Sequence, residues 1–214
     1  MKKLGIFIAA SALTLSLAAC GSGASGTTTT AAAAETTAAA SAETTAAAGA
    51  ATELTEISAG MCSTPAILTS IGQSADVDIA NTLCTKAGIE VTMNKNITGA
   101  DLPDDCKTLI LAVGGSSKGL GAAGIDADGE LARLDELMKA AKDAGVTIIA
   151  MHTGGEARRG DLSDKFIAPV FDMADYAIVV SSGDTDGLMA GLCSKNGIPM
   201  DSIESISDVV SVLP

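Results

Sequence analysis

Five short apolar runs rich in β-branched residues recur between segments of helical character, and this alternation constrains the fold more than any other feature of the chain. The runs are Ala66-Ile67-Leu68-Thr69, Glu90-Val91-Thr92-Met93, Thr108-Leu109-Ile110-Leu111-Ala112-Val113, Val146-Thr147-Ile148-Ile149-Ala150-Met151 and Tyr176-Ala177-Ile178-Val179-Val180. The last three are nearly continuous in hydrophobicity, as in strands buried on both faces. Between them fall helical segments at 76–87, 128–144, 161–173 and 186–196. In the second of these, Leu131, Leu134, Leu137, Met138 and Ala141 share one face, Lys139 and Lys142 lie near the end and Gly145 closes it; Gly88 and Gly197 are similar stops. Strand and helix alternating in this way predict a parallel sheet covered on both faces and joined by right-handed crossovers. The expected fold is therefore a single three-layer, doubly wound α/β domain over residues 56–214. Its sheet is mostly parallel and five-stranded, flavodoxin-like or Rossmann-like, in the order 2-1-3-4-5.

The N-terminus has a different character. Met1-Lys2-Lys3 is basic, and an apolar stretch including Ile6, Phe7, Ile8, Leu13, Leu15 and Leu17 ends in small residues, the pattern of a secretory signal over residues 1–19. Leu17-Ala18-Ala19-Cys20-Gly21 resembles the lipobox of bacterial lipoproteins, which implies a diacylglycerol on Cys20 after cleavage, with acyl chains such as palmitate holding the protein on the extracytoplasmic face of the cell membrane. Residues 20–55 are almost wholly Ala, Thr, Gly, Ser and Glu, with near-repeats at Ala34-Glu35-Thr36-Thr37 and Ala42-Glu43-Thr44-Thr45. Lacking large apolar side chains, such a segment is expected to act as a disordered, low-complexity tether. The formal charge is −13, or −15 without Lys2 and Lys3, which argues against nucleic acid as a partner.

In an open α/β sheet, ligands bind beyond the carboxyl ends of the strands. Three connecting loops there are rich in Gly and small polar residues. The first carries Ser70, Gln73 and Ser74. The second is Gly114-Gly115-Ser116-Ser117-Lys118-Gly119-Leu120-Gly121. The third runs from His152 through Gly155, Glu156, Arg158 and Arg159. Gly115, Gly119 and Gly121 match glycine positions of the phosphate loop of short-chain dehydrogenases. That match fails on context: the loop follows the third strand, Gly114 replaces Thr, Val180 stands where a Lys should follow Tyr176, and Ala122-Ala123-Gly124-Ile125 separates the loop from the next helix. No nicotinamide or other cofactor is expected. The glycines are expected to let backbone N–H groups converge on an anion, with Lys118 adding charge. Arg158 and Arg159 suit bidentate recognition of carboxylate or phosphate, or else pairing with Glu156, Asp161 or Asp164. His152 is a candidate for ligand contact or acid–base work.

Other sites are excluded. No His/Cys cluster has zinc spacing, no Gly-x-Ser-x-Gly elbow occurs, and Ser116-Ser117-Lys118 lacks Ser-x-x-Lys spacing. Asp126-Ala127-Asp128-Gly129 and Asp184-Thr185-Asp186-Gly187 fail as calcium loops, because Leu137 and Lys195 occupy the twelfth positions where a bidentate Glu is required; they read as turns and helix starts. No metal is expected.

The run Thr69-Ser70-Ile71-Gly72-Gln73-Ser74-Ala75-Asp76, the Gly114 to Gly121 loop and the segment Gly154-Gly155-Glu156-Ala157-Arg158-Arg159-Gly160 together resemble a family of uncharacterised bacterial exported lipoproteins. The resemblance spans about residues 65–213. It implies that the three loops are a shared site and implies no activity.

The reading that follows is a tethered module that binds a small anionic solute for a transporter or sensor. One alternative is an extracellular hydrolase or transferase with His152 as base, and another is a cell-surface interaction module. Cys62, Cys84, Cys106 and Cys193 are expected as free or partly buried thiols, with the pairings Cys62 to Cys106 and Cys84 to Cys193 sterically open under the expected strand order.

Overall fold

A computed structural model describes residues 60–213, so the expected signal, the expected lipid attachment at Cys20 and the expected tether lie outside the described residues. The strands are β1 (Ala66–Ile71), β2 (Val91–Met93), β3 (Thr108–Val113), β4 (Thr147–His152), β5 (Tyr176–Val180) and β6 (Met200–Ile203). The helices are α1 (Asp76–Lys86), α2 (Ser117–Ala123), α3 (Ala127–Asp143), α4 (Asp161–Phe171), α5 (Leu188–Asn196) and α6 (Val209–Val212). All strands are parallel, in the order β2-β1-β3-β4-β5-β6.

The doubly wound α/β fold is as the alternation predicts, with six strands where five were expected. The additional strand, β6, is Met200-Asp201-Ser202-Ile203, an edge strand in which only Met200 and Ile203 are buried. Asp201 and Ser202 break the apolar run, so local pattern does not announce it. A second difference is α2, which begins directly after Ser116 rather than beyond Ile125. The Ser116 hydroxyl accepts from Gly119 N at 3.0 Å, and Gly124 at φ 72° ends the helix in the left-handed conformation.

The sheet separates two apolar layers. Successive residues of β3 point to opposite sides, with Leu109, Leu111 and Val113 in one cluster and Ile110 and Ala112 in the other. The first cluster is closed by α2, α3, α4 and α5 through residues such as Leu120, Leu134, Leu137, Phe166, Phe171 and Met189. The second is closed by α1 and α6 through Val77, Leu83 and Val209. Each large side chain buried here contributes about 1.5–3 kcal/mol by leaving water.

This layering corrects the expected cysteine geometry. Cys84 on α1 belongs to the second cluster with Cys62 packed against it, whereas Cys106 and Cys193 belong to the first. Both expected pairings therefore fall across the sheet, and all four thiols are free. Burial pushes Cys84 and Cys193 up to about 12, which keeps them protonated and unreactive.

Candidate functional site

The chain reverses its direction of winding between β1 and β3. From β1 it crosses through α1 to β2 on one side, and from β3 it crosses through α2 and α3 to β4 on the other. The loops leaving β1 and β3 thus part at their carboxyl ends and open a crevice. A cleft of about 500 Å³ lies there. Gln73, Ser74 and Ala75 line it from the β1 loop and Ser116, Lys118, Gly119, Ala122 and Ala123 from the β3 loop and α2. Asp78 of α1 with Lys95 and Asn96 completes it. Of the residues singled out from sequence, Gln73, Ser74, Ser116 and Lys118 line this cleft.

The two loops are fastened together. Gln73 bridges Gly115 in antiparallel fashion. Gln73 has φ 59°, unusual for a residue with a side chain, and Gly72 precedes it at φ 89°. A Cβ on Gly72 would lie 2.6 Å from the Gly114 carbonyl oxygen, so only glycine permits this approach. The same fastening takes up three of the backbone donors expected to converge on an anion in the glycine loop. Gly114 N donates to Ile71 O at 2.9 Å, Gly115 N to Ser163 Oγ at 2.9 Å and Ser116 N to Gly72 O at 2.8 Å, so those backbone donors are engaged within the protein. Ser117, the first residue of α2, is exposed.

What fixes the cleft is a buried ion pair that sequence reading missed. Glu130 of α3 is fully buried and pairs with Arg133 at 2.8 Å. Its carboxylate accepts from Gly72 N at 2.7 Å and from the Gln73 side-chain amide at 3.3 Å. Arg133 donates to Ser70 O at 2.5 Å and to Ile97 O at 2.8 Å. Gln73 Nε2 also donates to Lys95 O at 3.2 Å. One charge pair therefore holds both the β1 loop and the Lys95 to Ile97 segment, two walls of the cleft. The signal was present in the sequence: Glu130 sits on the same helical face as Leu134, Leu137 and Ala141, where a carboxylate needs a specific partner.

A second buried carboxylate gathers the third loop. Asp76, 4% exposed, accepts from Arg158 Nε at 2.8 Å and from Ser74 Oγ at 3.1 Å. Ser74 O in turn accepts from the buried Ser70 hydroxyl at 3.3 Å. Gly114 and Gly154 both lie against this group, since a Cβ on Gly114 would stand 3.0 Å from Asp76 Oδ2 and one on Gly154 would overlap Arg158 Cγ. The β1, β3 and β4 loops converge around Asp76. Arg158 is therefore held by Asp76, outside the acids considered from sequence. Arg159 pairs with Asp164, which was among them, and with Asp186, and donates to Gly183 O at 2.6 Å. Gly155 is buried at φ 58° and Glu156 is exposed on the turn between β4 and α4, and neither lines the cleft.

His152 does not reach the cleft either. It is fully buried, its Nε2 lies 3.1 Å from Arg158 O, and its Nδ1 has no hydrogen-bond partner among the described residues. Gly183 is packed against the ring so closely that a Cβ there would be 2.8 Å from Nδ1. Burial holds the imidazole below its ordinary range, opposed in part by the Arg158 carbonyl. With a depressed folded value, the unfolded chain binds the proton first as pH falls. The stability His152 contributes is thus complete above the ordinary histidine pKa of about 6.5 and is lost as pH drops below it, by at most about 1.4 kcal/mol per pH unit. Urea unfolding at pH 7 and pH 5 should show this loss in the native chain and less of it in His152→Gln; equal losses in both would remove the assignment.

The fold and the cleft define a doubly wound α/β domain with a crevice at its topological switch point. Residues 63–214 match the family described as a domain of unknown function (DUF6305), and the chain belongs to that family. No curated protein matches the chain.

Proposed function

We propose that the protein is a membrane-anchored extracytoplasmic receptor whose domain holds a small anionic solute in the switch-point cleft, for delivery to a transporter or sensor. The observation that carries the reading is Lys118, an exposed cation lining the cleft that forms no ion pair with any described residue. The anionic character rests on this lysine, since the guanidinium groups of Arg158 and Arg159 pair with internal carboxylates. The Glu130–Arg133 pair ties two walls of the cleft to the core, which favours a low ordering cost of binding. Weighing against the hydrolase or transferase alternative, His152 is buried, its Nε2 lies 3.1 Å from the Arg158 carbonyl oxygen and it does not line the cleft.

The test combines anchor and site. Native mass spectrometry of the full chain extracted from its own membrane should retain one small molecule per chain. Lys118→Ala should lower its occupancy about tenfold or more, since a charged hydrogen bond is worth about 1.5–3 kcal/mol. Cys20→Ser should abolish fatty-acid labelling. Undiminished occupancy in Lys118→Ala would remove the site, and continued labelling of Cys20→Ser would remove the anchor.

A further inference from the structure

The charges and hydrogen-bonding groups of the cleft narrow the ligand class; this inference rests on the cleft being the binding site. Three charged side chains line it: Lys118, Lys95 and Asp78. Lys95 and Asp78 neutralise each other at 2.7 Å, with side chains 42% and 52% exposed. That leaves one uncompensated positive charge in a chain whose formal charge is −13. A ligand with one negative group meets Lys118. A second negative group lodged in the cleft would meet no further unpaired cation of its lining and would face Asp78 within the field of an acidic protein.

The rest of the lining bears on the body of the ligand. The described aromatic rings of Phe166, Phe171 and Tyr176 all pack into the two core layers and none lines the cleft, so it offers no platform for stacking a nucleobase or a sugar ring. Contact surface comes instead from small side chains such as Ala122 and Ala123, which suit an open aliphatic chain. The side-chain amide nitrogen of Gln73 is already engaged by Lys95 O and Glu130, which leaves its oxygen as an acceptor, and the Asp78 carboxylate is another. Acceptors on the wall call for donors on the ligand, and hydroxyl groups supply them.

From this juxtaposition we infer that the cleft selects an open-chain polyhydroxy monocarboxylate over neutral polyols, dianions and nucleotides. A matched six-carbon series tests the inference: sorbitol, gluconate and glucarate carry zero, one and two negative charges on the same skeleton. Calorimetric titration of the full chain should give gluconate about tenfold tighter binding than sorbitol, through the Lys118 contact. Glucarate should bind no tighter than gluconate, and Lys118→Met should erase the preference for gluconate over sorbitol. Sorbitol binding as well as gluconate overturns the requirement for charge, and tighter binding of glucarate overturns the single-charge limit. If none of the three binds at millimolar concentration, the polyhydroxy acid class is wrong. The receptor reading itself then stands or falls separately, on whether Lys118→Ala changes the molecule retained in native mass spectrometry.

Discussion

Replacing Glu130 with Ala should destabilise the domain by about 3–5 kcal/mol, the range for removing one partner of a buried ion pair. The reason lies in what remains. Arg133, its side chain only 9% exposed, would keep its charge with no carboxylate beside it. Gly72 N would lose its acceptor at 2.7 Å, and the Gln73 amide one of its two anchor points. Thermal denaturation should show a fall in Tm of about 6–20 °C, taking about 2–4 °C per kcal/mol for a domain of this size. The double variant Glu130→Ala with Arg133→Met should be more stable than Glu130→Ala alone, because it removes the stranded charge as well. A loss below about 1 kcal/mol in the single variant would show that the pair does not hold the β1 loop. Because Gln73 lines the cleft and Lys95 O accepts from it, the same substitution should also weaken ligand retention although Glu130 touches no ligand position.

The second large effect is a change of sign between two glycines of one helix turn. Both Gly119 and Gly121 lie within α2, so propensity alone predicts that Ala at either position stabilises by about 0.5–1 kcal/mol. At Gly121 nothing stands within 4 Å of the added carbon, and the gain should be realised. At Gly119 the added Cβ would overlap the Gln73 carbonyl oxygen, a backbone atom of a loop already fastened by Glu130. Gly119→Ala should therefore cost about 1–3 kcal/mol from overpacking and push apart the two walls of the cleft. Urea midpoints of the two variants decide the matter: movement of both in the same direction would mean that α2 and the β1 loop are not in the close contact described.

Much of the architecture is a local property of the chain and was legible as such. Continuous apolar runs such as Thr108 to Val113 marked strands buried on both sides, and β3 and β5 occupy the residues expected of them. Helix ends were marked by glycines that adopt positive φ, as at Gly88, Gly145 and Gly197, because only there does a missing Cβ remove the strain. The acidic turns Asp126 to Gly129 and Asp184 to Gly187 read correctly as helix starts. Asp126 Oδ1 accepts from Gly129 N at 2.8 Å, and the Asp184 carboxylate accepts from Met189 N at 2.7 Å. The three unusual loops were also identified from composition, since close backbone approach requires small residues.

What each polar group in those loops does was decided only by tertiary structure. Arg158 meets Asp76 across 82 positions of sequence, and Glu130 meets Gly72 across 58. No periodicity or spacing records such distances, because the strand order that closes them depends on packing two apolar layers against one sheet. β6 was obscured for the same reason: Asp201 and Ser202 tolerate a strand position because the sheet ends there, and an edge has a solvent side that no local pattern reveals. The sequence by itself thus determined the alternation of elements, their ends and the small-residue loops, all of which follow from side-chain volume and backbone freedom within a few residues. Tertiary structure decided which of the loop charges are matched internally and which one, Lys118, is left facing the cleft, because charge compensation depends on through-space distance.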